Sequence, residues 1–183
     1  MQWKNTKIRY GWVAIFIHWI MALAIIGMFI LGKFMVDLDY YSLWYQIAPD
    51  THRSIGLLIA ALLLVRFAWR IANPAPVIEG KQWEKRIAHT VHLSFYLLLL
   101  MIVISGYLIT TADGQGVTFF GWFDVPAFIS GIDHQEDIAG EVHNWLAIAT
   151  MLLAGLHTAA ALKHHFIERD NTLLKMFGRS SKN

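Results

Sequence analysis

The sequence predicts an all-α integral membrane protein, a four-helix bundle whose N- and C-termini are cytoplasmic. Three observations predict it: an apolar composition, four apolar stretches of membrane-spanning length, and basic residues gathered at alternate connections. Of 183 residues, 56% are hydrophobic and 15% charged, about 10 points below the charged share of an ordinary soluble domain. Mean hydropathy is +0.46. At about 150 residues per domain the chain has room for one, taken as 1–183. With Cys 0 and His 9, a disulfide framework and a thiolate metal site are excluded, so metal chemistry must rest on nitrogen or oxygen ligands.

A helix needs about 20 apolar residues to cross roughly 30 Å of hydrocarbon. The first span is expected over about 12–36, Trp12 to Val36, broken only by His18 and Lys33. Its internal Trp and His, with no small-residue cleavage pattern behind them, set it apart from a cleaved signal. The second, about 52–70, begins at His52, is a little short, and carries Arg66 near its end. Asn73-Pro-Ala-Pro and then Glu79-Gly-Lys punctuate the connection that follows. The third, about 87–110, has His89 and His92 near its start. From Thr111 to Asp137, four glycines and Phe119, Phe120, Trp122, Phe123 and Phe128 predict a loop or short helix lying on the membrane surface. The fourth span, about 138–162, contains Glu141, His143 and His157.

Charge orients the bundle. Of the 15 basic residues, all but Lys33, Arg53 and Arg66 fall on one side. Lys4, Lys7 and Arg9 precede the first span; Arg70, Lys81, Lys85 and Arg86 flank the second connection; Lys163, Arg169, Lys175, Arg179 and Lys182 follow the fourth. The positive-inside rule makes that side cytoplasmic. The opposite side carries Asp37, Asp39, Asp50, Asp113, Asp124, Asp133, Glu136 and Asp137. The net charge of +2 is therefore an orientation signal and no sign of a nucleic-acid partner.

Ionisable groups inside a span are costly and usually functional. With a rise of about 1.5 Å per residue, His18 falls in the inner half of the first helix and His52 in the outer half of the second. On the fourth helix, His143 lies in the outer half and His157 in the inner half. His143 and His157 are 14 residues apart (143 to 157), nearly four turns, so they share a face about 21 Å apart along the axis. That is too far for one metal. It suits two haems stacked across a membrane, each iron held by one imidazole from the fourth helix and one from another: His18 with His157, His52 with His143. His89 and His92, three apart on the third helix, are alternatives to His18 as a ligand, or contacts to a haem propionate or quinone. His164, on the inner flank, is a further candidate for such a contact. Gly27, Gly56, Gly106, Gly140 and Gly155 allow close approach of a backbone or a flat macrocycle, as ordinary membrane packing also does. Arg53 and Lys33 are candidates to neutralise propionates or attract an anion to the outer haem. Arg66 and Arg70 could neutralise propionates at the inner end, or snorkel.

Three segments carry a resemblance to a known family: Arg9-Tyr-Gly-Trp-Val-Ala-Ile-Phe-Ile-His18-Trp, His52-Arg-Ser-Ile-Gly56, and Glu141-Val-His143-Asn-Trp with Leu156-His157. The chain resembles the bacterial cytochrome b561 family, within the four-helix di-haem membrane cytochromes that include hydrogenase cytochrome b subunits. The resemblance covers nearly the whole chain. It implies two non-covalent b-type haems, a bacterial inner-membrane location and electron exchange with the quinone pool; at least one member is understood as a superoxide oxidase that passes the electron to ubiquinone. It implies that superoxide gives an electron to the outer haem on His52 and His143, with Arg53 and Lys33 attracting the anion. The inner haem on His18 and His157 would then reduce ubiquinone near His89, His92 and His164. Alternatives remain: a cytochrome b subunit taking electrons from a docked hydrogenase or dehydrogenase partner, or a haem-free transporter or structural subunit. A homo-oligomer through lipid-facing surfaces is compatible with the sequence, and no motif fixes it.

Overall fold

The computed structural model describes residues 2–179; Lys182, used above for orientation, lies outside them. The elements run α1 (Trp12–Val36), α2 (Trp44–Ala72), α3 (Gln82–Thr110), β1 (Val117–Phe119), β2 (Phe123–Val125), α4 (Gln135–Phe166) and α5 (Thr172–Lys175). The four long helices are each long and apolar enough to cross a membrane. They run alternately up and down, so the starts of α1 and α3 and the ends of α2 and α4 share one end, called here the basic end. The opposite end carries the strands.

The first helix occupies the residues expected of the first span. The other three extend beyond theirs, because apolar composition locates only the hydrocarbon crossing while the backbone ladder continues into the interface. The largest difference is in α2, which begins at Trp44 and accommodates Pro49. Proline removes one i→i−4 bond, and near a helix start the loss is small. His52, expected to open the helix, therefore sits about two turns inside it. At the start of α3, the Lys81 N–H donates to Glu84 Oε2 at 2.7 Å, which satisfies an orphan donor and sets a carboxylate on the positive end of the dipole.

Of the loop or short helix expected for the aromatic segment, the loop is what forms. It folds as an antiparallel hairpin in which Val117 faces Val125 and Phe119 faces Phe123. β-branched and aromatic residues favour the pleated strand, and the turn is made by Phe120 (φ 47°) and Gly121 (φ 74°). Ser54 of α2, 2% exposed, anchors it: Phe120 N–H donates to Ser54 Oγ at 2.9 Å, and the hydroxyl donates to the Thr118 carbonyl at 3.4 Å. The Tyr107 hydroxyl donates to the Pro126 carbonyl at 2.8 Å and accepts from Phe128 N–H at 2.6 Å.

Packing is closest within α1–α2 and within α3–α4, and α1 touches α4 only lightly. Between these two hairpins lies a small apolar core of Ile17, Met21, Leu63 and Leu99, flanked by Val13, Ile25, Leu62 and Tyr96. Outward, Phe16, Leu23, Ile30, Leu64, Leu97, Leu152 and Leu156 are exposed, as expected where lipid is the solvent. The C-terminal segment folds back over the basic end, where Trp19 Nε1–H donates to the Met176 carbonyl at 2.9 Å and its ring lies 5.2 Å from that of Phe177.

Candidate functional site

The histidines converge at two levels. Near the basic end, the His18 ring of α1 lies 6.5 Å from the His157 ring of α4. Near the hairpin end, the His52 ring of α2 lies 6.2 Å from the His143 ring of α4. Both members from α4 lie on its interior face, marked midway by Thr150, 1% exposed, seven residues from each. The Thr150 hydroxyl donates to the Leu146 carbonyl at 2.8 Å, so it leaves no free donor between the two levels.

Neighbouring backbone sets the ring orientations. His143 Nδ1 lies 3.0 Å from the Ile102 carbonyl and 3.1 Å from Ser105 Oγ, whose own hydroxyl donates to the same carbonyl at 3.0 Å. A carbonyl only accepts, so Nδ1 carries the proton and the lone pair of the neutral ring sits on Nε2. That is the tautomer a metal-binding imidazole requires. A methyl group at Gly106 would meet His143 Cε1 at 3.1 Å, and one at Gly32 would meet His52 Cε1 at 3.3 Å; each ring is seated against a backbone with no side chain. His52 Nδ1 is buried without a hydrogen-bond partner. Such an atom calls for a partner from outside the polypeptide.

At the basic end, His92 of α3 joins the pair: its ring is 5.6 Å from that of His157, as is that of Phe95. Arg66 Nη2 donates to His18 Nδ1 at 3.2 Å. His89 is exposed and stands apart from the three rings. His164 is engaged elsewhere, with Nδ1 at 2.6 Å from both Glu168 Oε2 and Asp170 Oδ2. Lys163 binds Glu84 at 3.0 Å and Glu168 at 2.7 Å in the same cluster. Burial raises the Asp170 pKa, but hydrogen bonds from Thr172 and His164 outweigh it and leave the carboxyl below its usual range. An open apolar cleft of about 220 Å³ at the basic end is lined by Trp12, Ile15, Trp19, Met176 and Phe177.

The two cations at the hairpin end are partnered. Arg53 pairs with Asp50, and both line a polar cavity of about 240 Å³ together with Asp113, Gln115 and Thr118. Lys33 Nζ donates to Asn144 Oδ1 at 2.8 Å, beside His143 in the chain. Among residues the sequence reading passed over, Gly32, Ile102 and Ser105 support the rings most directly. Ser105-Gly106 was the available signal, a polar and a small residue side by side within an apolar run.

Comparison with known proteins gives consistent matches. The family model described as prokaryotic cytochrome b561 matches residues 9–179. Cytochrome b561 homolog 2 of Escherichia coli is 46% identical over 183 residues, covering 99% of this chain and 97% of the relative. Cytochrome b561 homolog 1 of the same organism is 27% identical over 174 residues, 93% of this chain and 98% of the relative. A protein of Yersinia pestis named a probable superoxide oxidase is 29% identical over 175 residues, 92% of this chain and 95% of its own length.

Proposed function

This chain belongs to the prokaryotic cytochrome b561 family, and from that premise we propose that it holds two haems b and carries electrons from superoxide to ubiquinone. The protein is a multi-pass membrane cytochrome of the bacterial inner membrane, of a family that binds b-type haem and transfers electrons. One observation carries the finer reading. Two imidazoles that would hold one metal ion between them have ring centroids about 6.2 Å apart, from metal–nitrogen bonds of about 2.0 Å and about 1.1 Å from each nitrogen to its centroid. The separations of 6.5 Å and 6.2 Å fit, and the 5.6 Å of His92–His157 is too short. We therefore assign His18 with His157 and His52 with His143 as the pairs that would each hold one haem, and leave His92 beside the first pair.

Haem b, when bound, supplies a one-electron couple set by its axial ligands and burial. The chain does the rest. Ile102 and Ser105 fix the His143 tautomer, Gly32 and Gly106 seat the rings, and Ile17, Met21, Leu63 and Leu99 keep water from the space between the two levels. We orient the basic end to the cytoplasm, which sets the acidic hairpin end in the periplasm. There Asp50 neutralises Arg53, so Lys33 supplies the larger part of the attraction for an anion. Ubiquinone is assigned to the apolar cleft at Trp12, Trp19 and Phe177, a reading supported by the 5.4 Å between the Trp19 and His18 rings. The balance is two superoxide plus ubiquinone plus two protons giving two dioxygen plus ubiquinol.

The test is ubiquinol formation by purified protein in lipid nanodiscs under a steady superoxide source. The reading expects formation that superoxide dismutase abolishes, that slows with salt, and that falls in Lys33→Gln. Absence of ubiquinol while superoxide persists overturns the choice of donor. A second reading, a cytochrome b subunit of a larger complex, draws on Trp122 and Phe128 at the hairpin end, 80% and 79% exposed. Co-purification of an iron–sulfur partner would favour it.

A further inference from the structure

Two polar groups of α2 at the basic end lack the partners their chemistry demands. Arg66, half-buried, makes no salt bridge among the described residues, and its guanidinium instead donates to the imidazole of His18. Three residues on, the indole Nε1–H of Trp69 is buried without an acceptor. A half-buried cation without a counter-ion and a buried donor without an acceptor both call for a partner. Together they describe a site that expects an anion. Arg66 is in hydrogen-bond contact with His18, so the missing charge belongs beside that histidine level.

The Arg66–His18 bond itself points to a second position for Arg66. Guanidinium only donates, so His18 Nδ1 accepts here. A neutral imidazole that gives its Nε2 lone pair to iron carries its proton on Nδ1, and two donors cannot bond to each other. Filling the site therefore releases Arg66, which must then find an acceptor within reach of its former partner.

We propose that Arg66 binds a carboxylate of the haem held by His18 and His157, a propionate, and by that contact raises the midpoint potential of that haem alone. This rests on the ligand assignment proposed above. A fixed positive charge favours the state that holds one more electron, so its removal lowers the potential. Arg66 acts through the carboxylate and is a positioning residue. An anionic lipid headgroup offers similar oxygens. His18 lies six residues into α1, however, about 9 Å below the helix start, which favours a group that enters with the macrocycle.

The experiment is a spectroscopic redox titration of full-length protein carrying Arg66→Gln or Arg66→Lys, in nanodiscs of zwitterionic and of anionic lipid, with haem per chain measured on the same samples. The expected result in Arg66→Gln is a lower midpoint for one haem, no change in the other, and equal shifts in both lipids. Lysine should restore most of the lost potential. Unshifted midpoints at full haem content overturn the proposal, as does a shift confined to anionic lipid, which would assign Arg66 to a headgroup. If glutamine abolishes binding of one haem, the Arg66→Lys variant decides: both haems retained with midpoints near the wild-type values support the proposal, and loss of the same haem despite the retained charge overturns it. Wild-type protein without haem would instead sink the ligand assignment, a distinguishable failure.

Discussion

Gly106→Ala tests whether the seat of His143 matters to what the ring holds. The added methyl would stand 3.1 Å from His143 Cε1 and 3.4 Å from Nδ1, where carbon contacts settle at about 3.5–4.0 Å. The ring must retreat by about half an ångström. That lengthens the Nδ1–Ile102 bond from 3.0 Å past the usual limit of about 3.2 Å. Losing that bond costs about 1 kcal/mol, and the forced shift adds about 1–3 kcal/mol. Alanine returns about 1 kcal/mol in helix propensity. Fold stability should thus fall only modestly, while displacement of a ligand and loss of its oriented partner should weaken metal binding by about 10–100-fold. The assay is haem per chain with a redox titration on detergent-purified protein. One haem should be lost or shifted and the other unchanged, with Gly32→Ala a milder perturbation on the same level, because its nearest contacts are 3.3 and 3.8 Å. Full retention of both haems at wild-type midpoints in Gly106→Ala would show that the seat of His143 does not govern what the ring holds.

Other outcomes follow from the same geometry. Ser54→Ala leaves the Phe120 N–H without its acceptor and should loosen the hairpin by about 1–3 kcal/mol, read as faster proteolysis of residues 117–125 with haem content unchanged. His92→Ala should keep both haems and their low-spin spectra, since its ring is too close to His157 to share an iron; loss of a haem would make it a ligand. Asp170 has a depressed pKa, so it contributes stability above its unfolded value near 3.8 and loses it as pH falls through the lower folded value. Hydrogen-exchange protection of residues 171–179, corrected for intrinsic rates, should therefore fall below about pH 4, and Asp170→Asn should be weakly protected at every pH.

Hydropathy made four crossings legible because lipid demands long apolar helices whatever the details of packing. It could not mark the helix ends, where the ladder outlasts the apolar run: α2 gains Trp44 to Thr51, with Pro49 inside the added turns. The hairpin was hidden by its own residues. Phe119 to Phe123 suit an interfacial helix by composition, and only the positive φ of Phe120 and Gly121 with the anchor at Ser54 settles them as a turn. The two-level arrangement was readable from the four-turn spacing of His143 and His157, which the fold meets with His52 and His18. The supporting atoms were not. The Ile102 carbonyl has no sequence signature, and the partners of Arg53 and Lys33 depend on how side chains of separate residues meet at the hairpin end. His92 was visible as a membrane histidine, but its rank behind His18 rests on a difference of less than an ångström between ring separations.

The measurement that bears most directly on the central claim is a redox-difference spectrum with haem quantitation on the purified full-length protein, wild type beside His143→Ala and His157→Ala. Two b-type haems per chain are expected in the wild type and one in each variant, with the surviving haem differing in midpoint between them. A single haem in the wild type, or two retained in either variant, would contradict it.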